Sequence, residues 1–446
     1  MVLASIALRN LVQARRRTLL LSTAIGLVTA MLVLLLSISA GISDNLVQSA
    51  TTLSSGHVVV GGFYKPSPTL GAPLVTDASK VRAIVEAKTP GLDHVVARGR
   101  GWGKIVGPGG SVQASFSGVT LSDEPGFADT LQLAARSAYK DGGGPEVVGD
   151  ANRIGDPNAL ILFASHARRL EVDVGDLVTI VTEQSDGRTN TLDVTVVAIA
   201  RDMGMLSSWS AIIDEPSLKK LYSLKGDTTG ALWVYLKDID ESENAMTALR
   251  TSLAQEGFAL MDYQPVPFWM KFEVVGGEDW TGQKLDLTTW SDEVSFLMYT
   301  VAAFDIVTVF ISSILLIIIA IGISNTMFNT VRERTREIGT MRAIGLHRRQ
   351  VLWLFMLEAI FLGLFATTSG ATLGALLATG FDAAAIPVPI EAMQAFLLSD
   401  TIPFSVRPLA LFGSVAFLTT CTALAALWPS YRAAQLKPIV ALGYTA

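Results

Sequence analysis

The chain has 446 residues, half of them hydrophobic and 17% charged, with a mean hydropathy of +0.44; this is too apolar for an ordinary soluble domain and too polar for an all-membrane bundle. The formal charge of −6 conceals an asymmetry. Residues 41–295 hold 21 Lys and Arg against 33 Asp and Glu, whereas Met1–Thr18 holds four arginines and no acid, so overall acidity carries no message about nucleic acid and no such partner is expected.

The first 18 residues form a basic segment ahead of Leu19–Ala40, an apolar run without formal charge. Such a run crosses a hydrocarbon core of ~30 Å at 1.5 Å per residue. A cleavable signal peptide is the alternative, but its apolar part runs to only about 15 residues, and an uncleaved first transmembrane helix is the reading adopted. Residues 41–295 then read as a globular α/β region. Gly56-His57-Val58-Val59-Val60-Gly61-Gly62 is a glycine-bounded strand signal, and Asp77–Lys88 a helix with Val81, Ile84 and Val85 on one face. Strands are expected at Ala159–Phe163, Val178–Thr182 and Asp193–Ile199, with a helix at Ser165–Leu170. Ala231–Leu236, Ser242–Gln255 and Phe258–Met261 form a β-α-β unit. Two subdomains fit this order, the first interrupted by the second. Gly99-Arg-Gly-Trp-Gly103 and Gly277–Lys284 read as turns; neither completes a phosphate-binding pattern.

From Leu285 the period changes. Leu287, Trp290, Val294, Leu297 and Val301 are spaced like a heptad seam, which predicts a stalk helix running down into the second transmembrane helix at 296–330. Ile38, Ile42, Leu46, Ala50 and Leu53 make a weaker stripe leaving the first helix, and the two stalks are expected to pack together. Residues 351–380 are the third transmembrane helix, with Ala366, Gly370, Gly374 and Ala378 recurring every fourth position as a helix-packing face. An acidic loop at 381–407, a fourth helix at 408–428 and a tail at 429–446 complete the chain. Basic residues at 9–17, 332–349 and 432–437 all fall on one side of this topology, so the positive-inside rule places both termini in the cytoplasm.

Cys421 is the only cysteine, which excludes an intrachain disulfide, and His57, His94, His166 and His347 show no metal-ligand spacing. Asp305 and Glu358 fall inside membrane helices, where a lipid-facing charge is costly. A proton relay is one reading. The other, preferred, has Asp305 hydrated or paired near the outer end and Glu358 within reach of an arginine such as Arg17.

The segment at 331–350 carries six arginines against two glutamates. Glu333 with Arg336 and Arg334 with Glu337 are spaced as helical ion pairs. Ile338, Met341 and Ile344 make an apolar stripe, and Gly345 stands where a left-handed residue would end the helix. From the residues alone it is either a basic loop that sets topology or a knob whose stripe enters a groove on a cytoplasmic partner.

The run Glu333-Arg-Thr-Arg-Glu-Ile-Gly-Thr-Met-Arg-Ala-Ile-Gly345, followed by Leu357-Glu358-Ala359, resembles the coupling segment of the FtsX-like permeases of ABC transporters, which include MacB-type exporters and lipoprotein-releasing permeases. Trp428-Pro-Ser-Tyr-Arg-Ala-Ala-Gln-Leu-Lys-Pro-Ile-Val-Ala-Leu442 is similar to the closing signature of that family, and Leu160–Val181 to its extracytoplasmic segment. The resemblance implies four transmembrane α-helices with a large mixed α/β extracytoplasmic domain between helices 1 and 2, in the bacterial inner membrane. It implies a non-enzymatic subunit with no cofactor of its own, ATP and Mg being bound by a separate cytoplasmic ABC ATPase. Coupling would run through Arg332, Glu333, Arg334, Arg336, Glu337, Ile338, Gly339, Met341, Arg342, Ala343, Ile344 and Gly345. A second permease copy or homologue, membrane lipid, and a lipoprotein or periplasmic adaptor are the further partners implied. The expected function is mechanotransmission that extracts or exports a lipophilic substrate, lipoprotein release being the leading reading. A short stretch before the first helix, with no fused ATPase, favours the lipoprotein-releasing or general FtsX-like branch, and the Gly56-His57-Val58 strand resembles the lipoprotein-releasing one. The alternatives are activation of an extracytoplasmic cell-wall hydrolase and MacB-type drug or peptide efflux.

Overall fold

The computed structural model describes residues 2–439 apart from 14, 69, 125, 184–186, 389–393, 395–396, 398 and 400. It divides into a helical unit (Met1–Asp44, Val301–Pro387, Thr401–Ala446) and an α/β unit (Asn45–Thr300, Val388–Asp400).

In the α/β unit the principal strands are β1 (Val58–Ser67), β2 (Leu92–Gly107), β3 (Gly110–Val119), β4 (Ala159–Phe163), β5 (Leu177–Glu183), β6 (Thr189–Ala200), β7 (Ser210–Asp214), β8 (Ala231–Leu236) and β9 (Gly282–Thr289), with shorter strands at Leu70–Ala72, Val75–Thr76 and Thr228–Thr229. The principal strands pair in the order β9-β1-β8-β2-β3-β7-β4-β6-β5. β5 returns to the far end of β2, with Lys104 opposite Val181 and Val106 opposite Thr179, so the last six strands close into a barrel. Closure leaves no free edge in that half. The other half is an open sheet of β9, β1, β8 and the near end of β2. Val58, Val60, Val234, Leu285 and Leu287 there bury one face against Val81 and Val85 and against Leu249 and Leu253, which belong to helices Ala78–Lys88 and Ser242–Gln255. β4 is apolar at every position because both its faces are covered: Leu160 and Leu162 join the barrel core, while Ile161 and Phe163 pack on the other side with Leu53, Phe127 and Ile154.

Three expectations are corrected here. Leu287 lies in β9, not in a stalk helix. Its bonding to β1 sets Val60 opposite Leu287 and Val58 opposite Thr289; Leu285 and Leu287 share one core cluster with Val58 and Val60, and Leu285–Thr289 are buried throughout. The Thr289 and Asp292 side chains form a capping box for the short turn Trp290–Glu293, Val294 leaves the helical region at φ −115°, and the long helix begins at Ser295. Of the five seam residues, only Leu297 and Val301 lie in that long helix. Second, Gly99–Gly103 is not a turn but the middle of β2. A Cβ there would collide with the Glu215 and Leu218 side chains at Gly99, with Tyr222 and Leu218 at Gly101 and with Thr182 at Gly103, so the glycines let other elements lie flat on the strand. Third, Phe258–Met261 is not a strand: Leu260 makes one isolated parallel bridge to Leu285.

In the helical unit, Val2–Gln13 is a helix where only a basic segment is expected, although Leu3, Ile6, Ala7, Asn10 and Leu11 have helical spacing. Among the described residues, four helices are long and apolar enough to cross a membrane. We label the helices of this unit α1 (Val2–Gln13), α2 (Arg15–Leu53), α3 (Ser295–Glu333), α4 (Thr335–Ala343), α5 (Arg348–Ala383) and α6 (Pro408–Ala434). α2 and α3 have 39 residues each, about 58 Å of helix and so roughly twice a hydrocarbon core; their outer residues, 45–53 and 295–300, belong to the α/β unit.

The most enclosed of the four spans is α5. Its small face meets α2: a Cβ on Gly370 would stand 2.2 Å from the Gly26 carbonyl oxygen, and one on Gly374 2.8 Å from that of Ala30. Ala366 and Ala378, on the same face, are fully buried. On the other side of α5, a Cβ at Gly363 would meet the Thr422 side chain of α6 at 3.0 Å, and the Thr367 and Thr419 hydroxyls are hydrogen-bonded at 3.0 Å. α3 reaches α6 through Ser324, whose hydroxyl donates to the Ala425 carbonyl at 2.9 Å, and through Phe328 edge-on to Trp428 at 5.2 Å.

Candidate coupling segment

α3 ends at Glu333, and Arg334 breaks the helix with φ −99° and ψ 15° before α4 starts at Thr335. The break is pinned by charge. Arg334 donates through Nε to Glu337 at 2.8 Å and through Nη1 to Glu358 of α5 at 2.9 Å. The Asn10 amide of α1 donates to the same Glu358 oxygen. Glu358 is 4% exposed, so these two donors take the place of water around a carboxylate that burial would otherwise penalise. The expectation that Glu358 lies within reach of an arginine is met by Arg334; the side chain of Arg17, given as an example, lies outside the described residues. Asn10 was missed for want of any charge or motif to single it out. Asp305 accepts a hydrogen bond from the Ser39 hydroxyl of α2.

The far end of α4 is closed by a Schellman arrangement. Leu346 N–H bonds to the Met341 carbonyl at 3.1 Å and Gly345 N–H to that of Arg342 at 3.2 Å, with Gly345 at φ +112°, a conformation that favours glycine. Arg342 turns inward, donating from Nη1 to the carbonyls of Ala434 and Leu436 at 3.0 and 2.9 Å. Those are carbonyls at the end of α6 that have no partner within the helix. Ile338 is fully buried in a cluster with Val351, Phe355 and Ala433, and Met341 packs against it; Gly339 is buried as well.

The expected apolar docking stripe is therefore corrected. Ile338 and Met341 fasten α4 to its own unit, because the break at Arg334 turns that face toward α5 and α6. What faces outward is Glu333, Arg336, Glu337, Thr340 and Ala343, with Arg332 beside them and Ile344 at the tip, 80% exposed. The segment is a short helix clamped at both ends, with a polar outer face and one large apolar residue on its tip. Chemically it offers no nucleophile or paired acid and base. Mechanically it is tied to α5 through Arg334 and Glu358 and to the end of α6 through Arg342.

Residues 309–438 match the family described as FtsX-like permease C-terminal. An uncharacterized ABC transporter permease of Methanocaldococcus jannaschii is 26% identical over 98% of this chain and 96% of its own length. The macrolide export ATP-binding/permease protein MacB of Nitrobacter winogradskyi is 38% identical over 30% of this chain, which spans only 18% of that longer protein. Among solved structures, the periplasmic region of MacB from Actinobacillus actinomycetemcomitans is 12% identical, covering 55% of this chain and 94% of that one with a TM-score of 0.30.

Proposed function

We propose that this chain, whose residues 309–438 match the FtsX-like permease C-terminal family and which is similar to ABC transporter permeases, is the membrane subunit of an ATP-driven mechanotransmission machine. ATP and Mg are bound by a separate cytoplasmic ATPase, which seats on the outer face of α4. The observation that carries this reading is the clamping of α4: a projection tied to Glu358 at one end and to the end of α6 at the other passes a push into the transmembrane helices instead of absorbing it. The three basic segments support a cytoplasmic position for α4 and both termini, and hence insertion in the bacterial inner membrane. Two permease copies, or this chain and a homologue, form the working dimer.

The substrate is lipophilic and is extracted or exported on the outer side of the membrane. Lipoprotein release is the leading reading, supported by the resemblance of the Gly56-His57-Val58 strand to that branch. Efflux of a drug or peptide is the second reading, favoured by the identity shared with the macrolide exporter. Purifying the chain with its ATPase and identifying bound molecules by mass spectrometry separates them. Acylated polypeptide is the expected result; recovery of small molecules alone would move the assignment to efflux, and an empty complex under turnover-blocked conditions would contradict both.

A further inference from the structure

The Gly56-His57-Val58 motif lies where two long helices leave the α/β unit. α2 ends at Leu53, and the segment leading into α3 begins at Trp290. His57 N–H donates to the Val234 carbonyl of β8 at 3.0 Å, and its own carbonyl accepts from Trp290 N–H at 3.1 Å. Its ring Nδ1 accepts from Leu236 N–H at 3.0 Å. One residue thus binds the exit of α2 to β8 and to the first residue of the lead into α3. Tyr235, between its two β8 partners, lies edge-on to the His57 ring at 5.4 Å, stacks on His94 at 4.5 Å, and donates its hydroxyl to the Thr51 carbonyl in the last turn of α2 at 2.9 Å.

A backbone N–H can be accepted only by an imidazole nitrogen that carries no proton, so Nδ1 is bare and the neutral ring holds its proton on Nε2. Protonating Nδ1 sets two N–H groups against each other and places a positive charge next to His94. The ring is half-buried, so water reaches it.

We propose that His57 is an acid-labile clasp: its bare Nδ1 holds the exits of α2 and α3 to β8, and acidification on the outer side opens that joint. The titratable groups that face it are His94, Tyr235 and Asp93, the last paired with His94 Nδ1 at 2.8 Å. Burial, then the neighbouring His94, push the His57 pKa below the ordinary 6.5, with Asp93 acting in the opposite sense; the Leu236 N–H, which can bond only the unprotonated Nδ1, also favours the neutral ring. A folded-state pKa below the unfolded one means that the clasp contributes fully above the unfolded value and is lost as pH falls through the folded one.

The test is hydrogen exchange on the full chain in nanodiscs between pH 7.5 and 5, with fragmentation that resolves the Leu236 amide and correction for intrinsic exchange. In the wild type, protection of Leu236 should fall by up to about tenfold per pH unit below the ring pKa. In His57→Asn, whose amide oxygen accepts at every pH, it should stay level. No fall in the wild type, or an equal fall in His57→Asn, overturns the proposal. If His57→Asn does not fold, His94→Gln decides: a fall that persists supports His57 as the titrating group, and one that disappears assigns it to His94 and overturns the clasp.

Discussion

Replacing Gly370 by valine should abolish recovery of folded protein from membranes. The Cβ it adds would stand 2.2 Å from the Gly26 carbonyl oxygen and 2.8 Å from the Gly26 Cα, and both are backbone atoms that cannot rotate away. Overpacking against side chains typically costs about 1–3 kcal/mol; against a facing backbone the relief must come from separating α2 and α5. That also forfeits the contacts at Gly374, Ala366 and Ala378. Gly380→Ala in the same helix is the control, since a Cβ there meets nothing within 4 Å. Size-exclusion profiles of the two variants in mild detergent make the comparison, and a monodisperse Gly370→Val peak of wild-type height would contradict the close approach.

The second large effect is expected at Arg334. Arg334→Leu leaves Glu358 4% exposed with the Asn10 amide as its remaining described partner. Removing one member of a buried pair costs about 3–5 kcal/mol, whereas replacing both with apolar groups of similar volume is often neutral. The single variant should therefore show a clearly lower Tm and a lengthened or frayed junction between α3 and α4. Arg334→Leu combined with Glu358→Leu should recover most of the Tm. A single variant as stable as wild type would show that Glu358 is satisfied without Arg334, and α4 would lose its anchor on α5.

Both effects concern features that the sequence shows unequally. The four-residue recurrence of Ala366, Gly370, Gly374 and Ala378 marks a packing face, because a helix repeats nearly every four residues and only small side chains admit a facing backbone. Which helix fills the face is a matter of tertiary arrangement, and spacing says nothing of it. The coupling segment was legible as a helix with an Arg334–Glu337 pair and a terminating Gly345, since all three are local. Its orientation was not. An apolar stripe reads the same whether it is buried against its own chain or offered to another, and Ile338 and Met341 turned out to be held inside. The stalk failed for a related reason: Leu285 and Leu287 satisfy a strand period, Leu287 and Trp290 a helical one, and the partner strand β1 decides between them. Asn10 acts through one hydrogen bond to Glu358 and His57 through bonds to Val234, Leu236 and Trp290; contacts to such distant residues leave no periodic trace.

That orientation also determines how the coupling account is tested. Reversing charge at Arg334 or Arg342 would confound docking with folding, because both bond inside the unit. Ile344, 80% exposed at the tip of α4, is free of that difficulty. The direct measurement is recovery of the ATPase when the permease carrying Ile344→Asp is purified from membranes beside the wild type, with permease amount and Tm matched. The account predicts that the variant inserts and folds normally while the ATPase recovered with it drops by about tenfold or more, the loss of some 1.4 kcal/mol expected when a charge replaces an apolar contact. Undiminished recovery of the ATPase with Ile344→Asp would contradict seating on the outer face of α4.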